Sequence, residues 1–342
     1  MRPFAAAAMV LFQVWTFGWW YYHLLMLAAV ALALYALVVE RSRARSMRSV
    51  VETALELEIS IDVEEIDFEV IAALVAAVEV NEAVERAHRG GILSAASLMV
   101  AGNAARDAVQ RAKAMPTLRV GLHLVLVEGR PVLPAASVPD LVDASGHFRT
   151  DMARAGAAMF FLPRVRAQLA AEIEAQFAAF AATGLPLDHV NAHKHFHLHP
   201  TIAALIVRTG AAHGAKGARV PLEPQGVLAR IEPHNASGVV ALTAPFARAL
   251  ARRFRRAGIA APDQVFGLAW SGAMTASRIT GLIQNMPGGL TEIYTHPATG
   301  PYPGSAPGYL YGEELSALTD PALPGMLAAR NIRLGGFADF MV

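Results

Sequence analysis

The sequence predicts an α/β fold: a parallel sheet covered by helices, of the size of a (β/α) barrel. Three observations lead there. From Val80 onward, short apolar runs alternate with helical patterns, as in consecutive βα units. The stretch 80–342 is close to the roughly 250 residues such a barrel takes. Histidines stand where apolar strands end, and parallel α/β folds bind their ligands at the carboxyl ends of strands.

The elements follow in order. NEAVERAHRGG reads as a helix closed by Gly90 and Gly91. ASLMVAG is a short buried strand, and Asn103 is placed to cap the helix AARDAVQRAKAM, which Pro116 ends. RVGLHLVLV is a second buried strand. VRAQLAAEIEAQFAAFAATG is a helix whose core face, Val165, Leu169, Ile173, Phe177 and Phe180, recurs at spacings of three and four. LDHVNAH is the next strand, and PTIAALIVRTGAAHG is a helix with Pro200 in its first turn. ARVPL and TEIYTH complete the strands that the pattern predicts. Between 41 and 77 an arginine-rich stretch gives way to ELEISIDVEEIDFE and VIAALVAA, with no clean strand or helix order.

Composition narrows the function. Hydrophobic residues make up 54% of the 342 residues and charged residues 17%, so a large core can be buried. A net charge of +1, with one short basic cluster, argues against a nucleic-acid partner. Without cysteine, a metal would be held by His and Asp or Glu. No Asp, Glu, Lys or Arg occurs from Ala5 to Val39, enough for one membrane helix. Arg41, Arg43, Arg45 and Arg48 follow, so the positive-inside rule keeps the rest of the chain cytoplasmic. The expected organisation is a hydrophobic segment at 1–40, a poorly defined linker at 41–77 and a catalytic-size domain at 78–342, attached by its N-terminal helix to the inner membrane face. Oligomeric state leaves no mark.

The stretch HVNAHKHFHLHP holds His189, His193, His195, His197 and His199. On extended chain, residues two apart share a face, so the last four could point one way. A metal site, a solvated run and a pH-sensing patch all remain open on this pattern. His123 interrupts an apolar strand, His296 ends another, and Asp188 and Asn191 are placed to orient imidazoles. A His-rich site usually adds a carboxylate, and the acids at hand are Asp62, Glu64, Glu65 and Asp67.

Five blocks resemble the YdjC-like carbohydrate deacetylases: VNEAVERAHRGGILSAASLMVAG, RVGLHLVLVEGRPVLP, LPLDHVNAHKHFHLHP, RVPLEP and TEIYTHPATGPYPGSAPGY. They are most similar to the hopanoid-biosynthesis-associated branch, HpnK. The resemblance runs from about Val78 onward and implies a distorted (β/α) barrel, which the hydrophobic helix read from composition would precede. It implies a divalent metal ion, magnesium or zinc, and hydrolysis of an N-acetyl group from an amino sugar, in this branch an N-acetylglucosaminyl hopanoid. It makes His123 and His193 metal ligands. It puts His296 at the chemistry and Arg219, with His195 and His197, along the sugar.

One departure bears on activity. The family's first strand ends in an aspartate pair, the expected base and a metal ligand, where this chain has Ala72 and Ala73. The Asp67-Phe68 pair is the nearest imitation of that motif, several residues early. Either a relocated acid such as Asp67 serves, or catalysis is lost and a membrane-anchored barrel binds a lipid-linked sugar, or a reading-frame disruption precedes residue 77.

Overall fold

The computed structural model describes residues 66–74, 77–233 and 238–341, with the backbone alone at 66–74 and 238–243. The expected apolar span and the acids Asp62, Glu64 and Glu65 lie outside the described residues. Among those described, no helix is long and apolar enough to cross a membrane.

Eight strands form one parallel sheet. They are β1 (Ile66–Leu74), β2 (Ala95–Leu98), β3 (Arg119–Leu124), β4 (Leu187–Ala192), β5 (Gly217–Ala218), β6 (Gln264–Phe266), β7 (Thr291–Thr295) and β8 (Ile332–Leu334). The order is β5-β4-β3-β2-β1-β7-β6, with β8 paired to β1. The two edges approach each other: Gly217 bridges Ala260 in parallel, and Val265 N–H donates to Leu222 O at 2.9 Å. Closure thus rests on an isolated bridge and single hydrogen bonds rather than a full ladder.

The helices between the strands are α1 (Val78–Gly90), α2 (Ala105–Lys113), α3 (Met152–Phe161), α4 (Pro163–Ala182), α5 (Pro200–Ala212), α6 (Gln225–Ile231), α7 (Gly238–Arg256), α8 (Ala276–Asn285), α9 (Tyr311–Leu318), α10 (Leu323–Ala329) and α11 (Phe337–Phe340). The face anticipated on α4 is buried as expected, and Pro163 starts the helix where its missing N–H costs nothing. Glu172 and Gln176 of the same helix are buried too. They hold the loop after β3: Gln176 exchanges bonds of 3.0 and 2.7 Å with the Val125 backbone, and Glu172 accepts from Val132 and Leu133 N–H.

Three sequence expectations change. Asn103 does not cap α2, whose first flanking residue is Ala104 with no side-chain cap. ARVPL shrinks to Gly217–Ala218, the pairing with β4 ending where Arg219 N–H donates to Val190 O at 3.0 Å. The stretch without readable order contains β1, in ladder contact with β2, β7 and β8. The short alternation of IDFEV gives way at once to the unpatterned apolar run IAAL, so periodicity did not mark it.

Phe337 fills the sheet's interior near the amino ends of the strands. It is fully buried beside Ala95, Val265 and Tyr294. A Cβ on Gly217 would stand 2.1 Å from its ring, so that strand position has to be glycine. Phe337→Ala should cost about 3–5 kcal/mol, read as a lower urea midpoint at unchanged slope. A loss below ~1 kcal/mol would show that the surrounding strands pack without it.

Candidate active site

Parallel strands bring their carboxyl ends to one rim, and four of them deliver polar side chains there. His123 is the penultimate residue of β3, and β4 runs directly into His193. Arg219 follows β5, and His296 follows β7. His123 and His193 meet edge to face with ring centroids 5.7 Å apart. Tyr294, a β7 residue that sequence reasoning did not single out, links the others. The Arg219 guanidinium lies 4.4 Å above its ring, His195 Nε2 is 3.3 Å from its hydroxyl, and the His296 ring is 5.5 Å away. Its signal was there in period two: Glu292, Tyr294 and His296 share one face of the strand.

The histidine stretch is not extended. Residues His193–Leu198 form a tight 3-10 segment in which Lys194 (φ 51°) and His195 (φ 53°) are left-handed. Non-glycine residues held there cost of order 1–3 kcal/mol each and gather at functional sites. The kink separates the rings that a common face would have aligned. His193 is half-exposed, His197 is fully buried near Arg219, and His199 turns to pack on Phe160.

Burial sets the charge states. It pushes His123 well below the usual imidazole range, reinforced by the neighbouring His193. Burial, then the Arg219 charge, does the same to His195, takes His197 to about 3 and His296 to about 4. Arg219 itself is buried and compensated by Glu292, to which its Nε donates. Glu314, carrying its proton up to about 7 because it is buried, accepts from Met274 N–H at 2.9 Å and from His296 N–H, and so fixes the β7 end. His195 Nδ1, His296 Nδ1, Thr295 Oγ1 and Glu292 Oε2 are buried without a partner among the described residues. Such atoms cost about 1–3 kcal/mol each, and their concentration on one rim suits a polar ligand.

The acids fall differently. Asp67 is not brought to this rim: its backbone pairs with Arg333 near the amino end of β1, roughly 17 Å of extended strand before Ala72. Ala72 registers with Ala96 and Thr295, and Ala73 with Ser97, beside the strand end that carries His296. A carboxylate that the sequence reading passed over, Glu128, does reach the site. Its Oε2 lies 3.9 Å from His193 Nε2 while its Oε1 accepts from Lys194. Glu128 is also left-handed, with φ 54°, on the loop that Glu172 and Gln176 hold.

The chemistry of His123 and His193 suits a divalent ion, since both imidazoles are held neutral and His123 Nδ1 is already engaged by Asn191 Oδ1 at 2.7 Å. Its Nε2 lone pair is then free to ligate. Among the described residues, however, no group of three or more His, Asp or Glu side chains is arranged to hold one. The donors present fit and the set is short of a carboxylate.

Comparison with known proteins agrees with this architecture. Residues 76–329 match the family described as YdjC-like protein. A carbohydrate deacetylase of Geobacillus stearothermophilus is 30% identical over 266 residues, 76% of this chain and 92% of that protein. One of Brevibacillus brevis is 38% identical over 129 residues, where the match spans 38% of this chain and only 49% of the relative. A crystallised Enterococcus faecalis protein, described as a candidate for cellobiose-phosphate cleavage, superposes with a TM-score of 0.64 at 19% identity. That match covers 81% of this chain and all of the other, a likeness of fold.

The neutral state of His197 has a measurable consequence. Unfolded, it takes up a proton near 6.5; folded, it does so only near 3. The unfolded chain therefore binds more protons in between, and stability falls as pH drops from about 6.5. Relative to a His197→Asn variant, the wild type should lose urea resistance steadily between pH 7 and 4.5. A constant difference between the two midpoints would mean that His197 titrates alike in both states.

Proposed function

Because the chain belongs to the YdjC-like protein family, we propose that it hydrolyses the N-acetyl group of an amino sugar at the rim of His123, His193, Arg219 and His296. The observation that carries this reading is the convergence of these residues, from four separate strands, on one rim with unpartnered buried polar atoms. We read the curled sheet as a distorted barrel. His123 and His193 would hold a divalent ion, magnesium or zinc. When bound, such an ion supplies polarisation of an amide carbonyl and a water of lowered pKa. Arg219, stacked on Tyr294, and His195 present donors to sugar hydroxyls. Glu128 rather than Asp67 is the acid placed to accept a proton, being the one beside His193. His296 is held neutral, so it offers an N–H hydrogen bond to the developing oxyanion rather than a ready proton.

The substrate in this reading is lipid-linked, an N-acetylglucosaminyl hopanoid. Phe160 and Phe161, which end α3, and Leu162, between α3 and α4, are 46, 71 and 52% exposed. Phe160 packs on His199, the residue that ends the histidine stretch. An apolar edge next to a sugar site suits an apolar aglycone, and a membrane-attached enzyme would meet such a substrate in the bilayer surface. The short donor set favours a second reading, a barrel that binds the sugar without cutting it.

Four measurements decide. His123→Ala and His193→Ala should each lower bound divalent metal and cut deacetylation by more than about 100-fold, beyond what outer partners of a ligand command; unchanged metal content in both variants would remove them as ligands. Glu128→Gln should lower kcat with metal retained, and an unaltered rate would return the acid's role to another residue. Phe161→Ser should raise KM for a lipid-linked substrate and leave a soluble N-acetylglucosamine disaccharide unaffected. Wild-type protein that binds the disaccharide but releases no acetate with either metal supplied would establish the binding reading instead.

A further inference from the structure

Behind the rim, four buried side chains form one continuous hydrogen-bonded chain that ends on His123. His189 Nδ1 lies 3.0 Å from Asp188 Oδ2, and Ser97 Oγ lies 2.8 Å from His189 Nε2. Asn191 Nδ2 donates to Ser97 Oγ at 2.8 Å, and Asn191 Oδ1 lies 2.7 Å from His123 Nδ1. The residues come from β2, β3 and β4, and none of the five is more than 9% exposed.

The chemistry of the partners assigns every proton. Asp188 also accepts from Phe337 N–H at 3.1 Å and Ala338 N–H at 2.9 Å, so its carboxylate is an acceptor throughout. It therefore takes the proton of His189 Nδ1. His189 Nε2 is left to accept the Ser97 hydroxyl, whose oxygen accepts the Asn191 amide. That orientation leaves only the Asn191 carbonyl oxygen for His123, and a carbonyl can only accept. His123 must carry its proton on Nδ1 and its lone pair on Nε2.

We propose that Asp188, His189, Ser97 and Asn191 act as positioning residues that hold His123 in this single tautomer and ring orientation. The inference rests on the reading of His123 as a working residue of the site, and it adds two residues, Ser97 and His189, that touch neither rim nor solvent. A second feature supports a built arrangement. Gly121, two residues before His123 on β3, has no side chain where a Cβ would stand 2.3 Å from the His189 ring. Glycine inside a strand weakens it relative to alanine, and here it makes the room that the imidazole needs. Mutual satisfaction of buried polar groups alone would not tie the chain to His123, and that difference is testable.

The test is long-range 1H–15N NMR of the full-length, metal-free protein labelled in histidine, with kcat and KM on N-acetylglucosamine disaccharide in the metal-supplied protein. Wild-type His123 should show a protonated Nδ1. Ser97→Ala should give a mixture of His123 tautomers and lower kcat about tenfold or more at unchanged KM, and Ser97→Thr, which keeps the hydroxyl, should restore both. Gly121→Ala, which displaces His189, should reproduce the Ser97→Ala spectrum. A wild-type His123 protonated on Nε2 overturns the proposal whatever the variants do, and so does a tautomer unaltered in Ser97→Ala. If the tautomer shifts in Ser97→Ala while His123→Ala still deacetylates at the wild-type rate, the positioning stands and the proposed catalytic use of His123 falls.

Discussion

Strand polarity is the constraint on which the rest of the molecule depends. Because β3, β4, β5 and β7 all run the same way, residues far apart in the chain emerge on the same rim. A reversed strand would carry its histidine to the opposite end. The interior that these strands enclose is correspondingly divided. Its amino end is apolar and plugged by Phe337, and its carboxyl end is lined with imidazoles, a guanidinium and a phenol. Between the two lies the hydrogen-bonded chain from Asp188 to His123, built of polar side chains on β2, β3 and β4.

Burial is what makes that polar end chemically useful. In water the histidines would be mixtures of charged and neutral forms near neutral pH. Here desolvation, joined by the positive Arg219, removes the charge from His195, His197 and His296. Neutral imidazoles keep a lone pair for a ligand or an N–H for a substrate. Arg219 avoids the cost of an isolated buried charge through Glu292 and the face of Tyr294. The same pair leaves Glu292 Oε2 buried and without a donor among the described residues.

The rim is also where the backbone is least relaxed. Glu128, Lys194 and His195 are all left-handed, and Glu128 and Lys194 are ion-paired across the two loops they occupy. Glu172 and Gln176 of α4 clamp one of those loops from below, and the β4 ladder delivers the other. Strain of this kind persists only when its surroundings over-determine it. The loops are thus held by helices whose sequence pattern reads as ordinary core packing.

The sequence by itself determined the class of fold and most of the polar residues that matter. Short apolar runs marked β2, β3, β4 and β7, which are buried along nearly their whole length, and a face recurring at three and four residues marked the helix α4. Histidines at strand ends pointed to a rim, and five sequence blocks pointed to the family that the comparisons show. Tertiary structure alone decided the rest. β1 is defined by its ladders to β2, β7 and β8, which no local pattern records. The histidine stretch looks extended in sequence, but a left-handed kink at Lys194 and His195 sends its rings apart. Glu128 comes beside His193 only through a loop that a distant helix holds. Ser97 and His189 join across strands, a relation carried by register and by the absence of a side chain at Gly121. Local pattern records which side of an element is buried. Which buried groups meet one another depends on strand order and register, which no short stretch of sequence contains.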